Sequence, residues 1–281
     1  PPQPDRGGSV AFRSALSHSA PRMSRLPAAL LDRPVAHRGL HDAAAGRPEN
    51  ALSALRAAAE AGYGIEFDVQ ASADGEAMVF HDETLDRMTG TTGPLRARTA
   101  VELGRISLRG GGGERIPTLA EALALLAPFR APLLVEIKPQ APEVGVGPLE
   151  SRTAALLAAY PGPAAVMSFD PARAIWFRTH APALPRGLVS LDFEADPKHA
   201  HRPAEERAAL ARLADFETAA ADFVSYRWSD LPRAETAALR ARRVPVICWT
   251  TRSRAEDAAA RRHADNVTFE HYRPEPACPA A

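Results

Sequence analysis

From Pro34 onward the chain alternates short runs of strand-forming residues with Ala/Leu/Arg-rich helical stretches, and this alternation restricts its fold more than any other feature. Repeated strand–helix–strand order demands a parallel sheet, because parallel neighbours need a long crossover and the crossing helices cover the sheet. Parallel strand candidates open at Pro34, Gly64, Leu133, Ala164, Gly187, Phe223, Val244 and Asn266. Helical stretches are predicted at 51–61, 119–127, 171–179, 203–213, 232–242 and 253–262. Eight such strands in one chain fit an α/β fold of the (β/α)8 TIM-barrel type, which takes about 250 residues as a single domain. An open doubly wound sheet fits less well, since no GxGxxG follows the first strand. The barrel is expected over 23–271, after an N-terminal extension at 1–22 and before a disordered tail at 272–281.

The second strand runs into a hairpin over 64–82, GIEFDVQASADGEAMVFHD. Ile65, Phe67 and Val69 alternate with Glu66, Asp68 and Gln70, so a period of two puts both acids on one face. Two carboxylates on a buried strand need a cation. Asp74-Gly75 is a two-residue hairpin signal, and pairing about that turn sets His81 directly across from Asp68. The stretch 85–115, rich in Gly, Thr and Arg with weak periodicity, reads as a short loop insertion after the second strand.

Catalytic groups of a barrel stand at the carboxyl ends of its strands. The first strand ends in His37-Arg38-Gly39, the second carries Glu66 and Asp68, and LLVEIK places Glu136 and Lys138 on one face. Oxygen ligands suit one hard divalent cation, Mg2+ or Ca2+. Arg38 and Lys138 add positive charge suited to an anionic phosphoryl group, and two histidines could share acid and base work. Lys138 and Lys198 are the only lysines among 34 basic residues, so an ammonium at 138 departs from the chain's habit.

Basic and acidic residues balance at 34 each, which gives no long-range pull on nucleic acid or an anionic membrane. No apolar run approaches the roughly 18 residues of a membrane span. Cys248 and Cys278 lie far apart in sequence, one expected in packing and the other in the tail, and no disulfide framework is possible. Met23 is the expected start, with 1–22 disordered or not natively translated; without a signal-peptide pattern the expected address is the cytoplasm. Oligomeric state is not readable.

Several ordered motifs resemble the glycerophosphodiester phosphodiesterase family: HRG at 37–39, PEN at 48–50, EFD at 66–68, DGEAMVFHD at 74–82, LDRMTG at 85–90, IPTL at 116–119, EIK at 136–138, SFD at 168–170 and CWT at 248–250. The resemblance implies a (β/α)8 barrel that hydrolyses small glycerophosphodiesters, such as glycerophosphocholine or glycerophosphoethanolamine, to glycerol 3-phosphate and an alcohol with a divalent cation. It implies Glu66, Asp68 and Glu136 as metal ligands, His37 and His81 as the acid/base pair, and Arg38 and Lys138 as phosphate-binding residues. Glu49, Phe169 and Trp249 are candidates for the substrate pocket, although Glu49 and Asn50 could instead cap the helix that follows. The last strand departs from the family pattern, ending in Thr268-Phe269-Glu270 in place of threonine-aspartate, and this bears on the leaving-group pocket. The other histidines, His41 and His271 among them, read as surface or helix residues. A sphingomyelinase D-like or lysophospholipase D-like activity would reuse the same cluster on lipids but needs an apolar mouth, which 85–115 does not offer. A silent phosphate-sugar-binding barrel would have no use for the His37/His81 pair.

Overall fold

The Val/Ile/Leu-rich runs pair edge to edge until the sheet meets itself. The computed structural model describes residues 24–142 and 144–275. Its strands are β1 (Val35–Ala36), β2 (Gly64–Ala71), β3 (Ala77–Val79), β4 (Leu133–Ile137), β5 (Ala164–Ser168), β6 (Arg186–Ser190), β7 (Phe223–Arg227), β8 (Val246–Thr251) and β9 (Asn266–Phe269). They lie in the order β1-β9-β8-β7-β6-β5-β4-β2, and β1 pairs with β2 to close the ring. All eight ring strands are parallel, the (β/α)8 architecture read from the alternation. β3 stands outside the ring, antiparallel to β2.

Helices α1 (Ala29–Asp32), α2 (Leu52–Glu60), α3 (Ala100–Leu103), α4 (Leu119–Leu126), α5 (Pro148–Ala158), α6 (Pro171–His180), α7 (Ala204–Ala211), α8 (Ala234–Ala241) and α9 (Arg254–Ala260) complete the chain. Thr118 and Glu121 cap α4 reciprocally, and Asp170 caps α6 ahead of its Pro171. α5 fills a stretch that the alternation leaves unassigned. Gly147 and Pro148 open it, and Leu149, Thr153 and Leu157 bury its inner face.

Leu26 and Leu30 join Val35, Leu134, Ala165, Met167, Val189, Phe223 and Ile247 in one cluster that fills the barrel where its strands begin. Arg25 fixes this plug by gripping both carboxylate oxygens of Asp222, at 3.1 and 3.0 Å. The opposite end, where the strands finish, is left for the site. No helix among the described residues is long and apolar enough to cross a membrane.

Two expectations change here. The β2–β3 ladder pairs Val69 with Val79, Gln70 with Met78 and Ala71 with Ala77, one residue away from the expected register. Phe80, not His81, therefore falls opposite Asp68, and its N–H donates to the Asp68 carbonyl at 3.1 Å. The cause is a three-residue loop, 73–75, in place of a two-residue turn. Ser72 N–H bonds Glu76 O across it, and Gly75 takes φ +80°, the left-handed position such loops require. Residues 272–275, expected in a disordered tail, are instead tied to the barrel: Tyr272 bonds Thr251 and Asp257 through its hydroxyl, and Tyr63 donates to Pro274 O at 2.6 Å. The expectations for 1–22, Met23 and Cys278 lie outside the described residues. The insertion forms as expected, with α3, a few isolated bridges and a small core of its own around Phe80, Leu85, Leu95, Leu103, Leu108 and Ile116.

Candidate active site

Register builds the centre of the site. Asp68 on β2 lies beside Glu136 on β4, and Glu66, two residues back on β2, shares the inward face. Each of the three offers a carboxylate oxygen within 4.8 Å of the others. Glu66 and Asp68 are 1% exposed and Glu136 is 7% exposed, so water cannot neutralise them. Burial, then the charges of Asp68 and Glu136, push the Glu66 carboxyl well above the usual range. For Asp68, burial acts upward too, but Lys138, His81, Arg38 and the Asn50 amide together hold its carboxyl below the usual range.

The surrounding groups fix these acids in place. Arg38 adopts φ 56°, which turns its N–H onto Glu66 Oε2 at 2.9 Å. Gly39 completes the bend with φ +78°, and a Cβ there would lie 2.7 Å from the Ala54 carbonyl carbon of α2. Lys138 Nζ sits 2.8 Å from Glu136 Oε1 and 3.2 Å from Asp68 Oδ1. Glu66 Oε1 is buried with no hydrogen-bond partner among the described residues. An orphaned carboxylate oxygen facing two further carboxylates is a donor set that fits a hard cation.

Each candidate acid/base histidine is backed by a carboxylate. His37 Nδ1 is 2.7 Å from Glu270 Oε2, just past β9, and His81 Nδ1 is 2.7 Å from Asp82 Oδ1. With the carboxylates ionised, the hydrogen resides on Nδ1 and Nε2 is left to exchange a proton. Burial is the largest influence on His37 and lowers it to about 4, against the opposing pull of Glu270. His81 reaches the site although the ladder does not put it there. The chain leaves β3 after Val79, and the Gln70 amide, beside the acids on the inner face, donates to Phe80 O at 3.0 Å and Asp82 O at 2.6 Å. That clamp turns the 80–82 backbone until the imidazole acts electrostatically on Asp68.

Several side chains have other duties than the sequence suggested. Neither Glu49 nor Asn50 caps α2, whose N-cap is Ala51 without a side-chain bond. Asn50 is 2% exposed and holds Asp68 twice, donating from Nδ2 to Oδ2 at 3.0 Å and accepting from the backbone N–H at 3.3 Å. Glu49 accepts from Arg38 Nη1 at 2.7 Å. His271 is exposed as expected, whereas His41 is largely buried; both stand 3.5 Å from Glu270, which also pairs with Arg252 at 2.7 Å. Phe169 and Trp249 form an edge-to-face pair, centroids 5.5 Å apart, at the ends of β5 and β8. Trp249 Nε1 is anchored on Ser225 O at 3.2 Å. Cys248 is a buried free thiol, pushed up to about 12 by burial. Glu270, Asp82 and Arg87 are not among the expected site residues, although Asp82 ends DGEAMVFHD, Arg87 lies in LDRMTG, and the acid at 270 departs from the family pattern.

A closed parallel barrel gathers a buried acidic triad, two carboxylate-backed histidines and an Arg/Lys pair at the ends of its strands, where the active sites of such barrels stand. The chain belongs to the glycerophosphoryl diester phosphodiesterase family, whose model matches residues 37–268. A glycerophosphodiester phosphodiesterase of Caldanaerobacter subterraneus is 39% identical over 110 residues, 37% of this chain and 44% of that protein. Human glycerophosphodiester phosphodiesterase 1 is 41% identical over 99 residues, 32% of this chain and 29% of that protein. The chain thus spans less than half the length of these relatives. An Oleispira antarctica phosphodiesterase, solved in complex with the product sn-glycerol-3-phosphate, superposes with a TM-score of 0.71 at 22% identity, covering 87% of this chain and 93% of that one. The Thermotoga maritima glycerophosphodiester phosphodiesterase gives 0.60 at 23% identity, covering 84% and 94%. These two likenesses concern the fold.

Proposed function

We propose that this chain hydrolyses small glycerophosphodiesters, glycerophosphocholine and glycerophosphoethanolamine among them, to glycerol 3-phosphate and an alcohol. The observation that carries this reading is the acidic triad flanked by two histidine–carboxylate pairs, on a chain of this family. Glu66, Asp68 and Glu136 would hold one divalent cation, Mg2+ or Ca2+, which supplies Lewis-acid polarisation of a phosphoryl oxygen when bound. Arg38 and Lys138, beside the same carboxylates, bind and orient the anionic phosphate. His37, held neutral by burial, accepts the proton of the attacking oxygen at Nε2. His81, nearer solvent, delivers a proton to the departing alkoxide. Phe169 and Trp249 wall the mouth where the glycerol or head group rests, and Glu49 acts through Arg38.

Small head groups are favoured over lipids by the surface. The large apolar side chains exposed among the described residues are Val101, Phe129 and Val146, on separate segments that give an acyl chain no contiguous seat. The test is glycerol 3-phosphate release from a panel of glycerophosphodiesters and a lysophospholipid, with and without chelator. Wild-type release that chelation stops, and that His37→Ala, His81→Ala and Glu66→Ala each lower by about 10²-fold or more, is expected. Chelator-insensitive release, or full activity in His81→Ala, contradicts the reading.

A further inference from the structure

His81 and Arg38 come from different elements, yet one guanidinium joins their partners. Arg87, in the insertion after the hairpin, sets Nε 2.6 Å from Asp82 Oδ2 and Nη2 2.9 Å from Asp82 Oδ1. On its other side Nη1 lies 2.9 Å from Glu49 Oε2 and Nη2 lies 2.6 Å from Glu49 Oε1. Asp82 backs His81 and Glu49 backs Arg38, each at 2.7 Å. The bonds therefore run without a break from His81 through Asp82, Arg87 and Glu49 to Arg38, whose Nε ends 3.6 Å from Asp68.

Magnitudes separate two roles for such a bridge. Arg87 is 48% exposed, and ion pairs that open to solvent add only about 0–1 kcal/mol to stability. A fold-stabilising role is accordingly small. The geometry is more demanding than the energy: two forks on two carboxylates need the planar guanidinium, and a lysine can satisfy neither in full. The Gln70 amide already fixes the 80–82 backbone, which leaves the side chain of Asp82, and with it the His81 ring, for Arg87 to set.

We infer that Arg87 is a positioning residue that locks the proton-transfer group His81 and the phosphate-binding group Arg38 into one geometry. The inference rests on the phosphodiesterase reading of this site. It predicts that Arg87→Ala changes both parameters, lowering kcat and raising KM for glycerophosphoethanolamine, with kcat/KM down about 10- to 100-fold. The Tm moves by less than about 4 °C, as expected of an exposed pair. Arg87→Lys recovers part of the loss, and Glu49→Gln adds little in the Arg87→Ala background because the two share one bridge. A second readout needs no turnover: the low-field His81 Nδ1–H proton resonance, assigned by its loss in His81→Ala, disappears in Arg87→Ala. Wild-type kcat and KM together with an unchanged His81 resonance in Arg87→Ala overturn the inference. Loss of the resonance in a protein that releases no glycerol 3-phosphate supports the lock and counts against the phosphodiesterase reading instead.

Discussion

His37 stands just past β1 inside the closed ring, with Glu270 from the end of the neighbouring β9 against its Nδ1. His81 stands two residues past β3, on the arm outside the ring, with its own neighbour Asp82 in that place. The side chains are 13% and 32% exposed. On the ring side, strand pairing sets the distance between imidazole and carboxylate, and burial keeps the imidazole neutral. On the arm side, the ladder has already ended, and side chains do the placing: Gln70 on the backbone and Arg87 on Asp82. One half of the site inherits its geometry from the barrel. The other is assembled on top of it, nearer solvent.

The contrast between ring and arm is open to measurement. An unfolded histidine titrates near 6.5, whereas burial holds His37 at about 4 in the folded chain. Between those values the unfolded state binds the extra proton, so stability falls as pH drops from about 6.5 to about 4, by up to about 3 kcal/mol. Urea unfolding of cation-free protein should show a flatter pH dependence in His37→Gln over that window, and parallel curves would remove the buried neutral imidazole. Next comes the partner acid. Glu270→Gln is expected to lower kcat/KM toward the upper end of about 10- to 100-fold and Asp82→Asn toward its lower end, since the arm is the more open site; equal losses in steady-state assays would erase the distinction between ring and arm. The smallest effect probes the arm itself. Gly75→Ala places a Cβ at φ +80° with open space around it, so only backbone strain of about 1 kcal/mol is expected. A neutral result in thermal unfolding would contradict the left-handed Gly75 that closes the loop.

The barrel was legible because each strand is a short apolar run closed by a helix signal, and the triad was legible because Glu66, Asp68 and Glu136 stand on strands whose alternation fixes their face. His81 was reached for a reason that failed. Asp74-Gly75 looks like a two-residue turn, but Ser72 draws Ala73 into the loop by bonding Asp74 and Glu76 through its hydroxyl, which shifts the ladder by one. Side chain–backbone bonds of this kind compete with the turn signal and leave no periodic trace. The duties of Glu270 and Arg87 were hidden for a different reason, because their partners His37 and Glu49 are 233 and 38 residues away in sequence. Asn50 is open between two duties in the sequence because its type favours helix caps, while the buried Asp68 carboxylate is the stronger acceptor and takes it.

The central claim is that the ring-borne His37 takes a proton and the arm-borne His81 gives one. Its most direct test is the leaving-group dependence of kcat in His37→Ala and His81→Ala, comparing a glycerophosphodiester of ethanolamine with one of p-nitrophenol, whose anion departs without protonation. The His81→Ala deficit is expected largely to vanish with p-nitrophenol while the His37→Ala deficit persists. The reverse pattern, or a His81→Ala deficit unchanged by the leaving group, would contradict it.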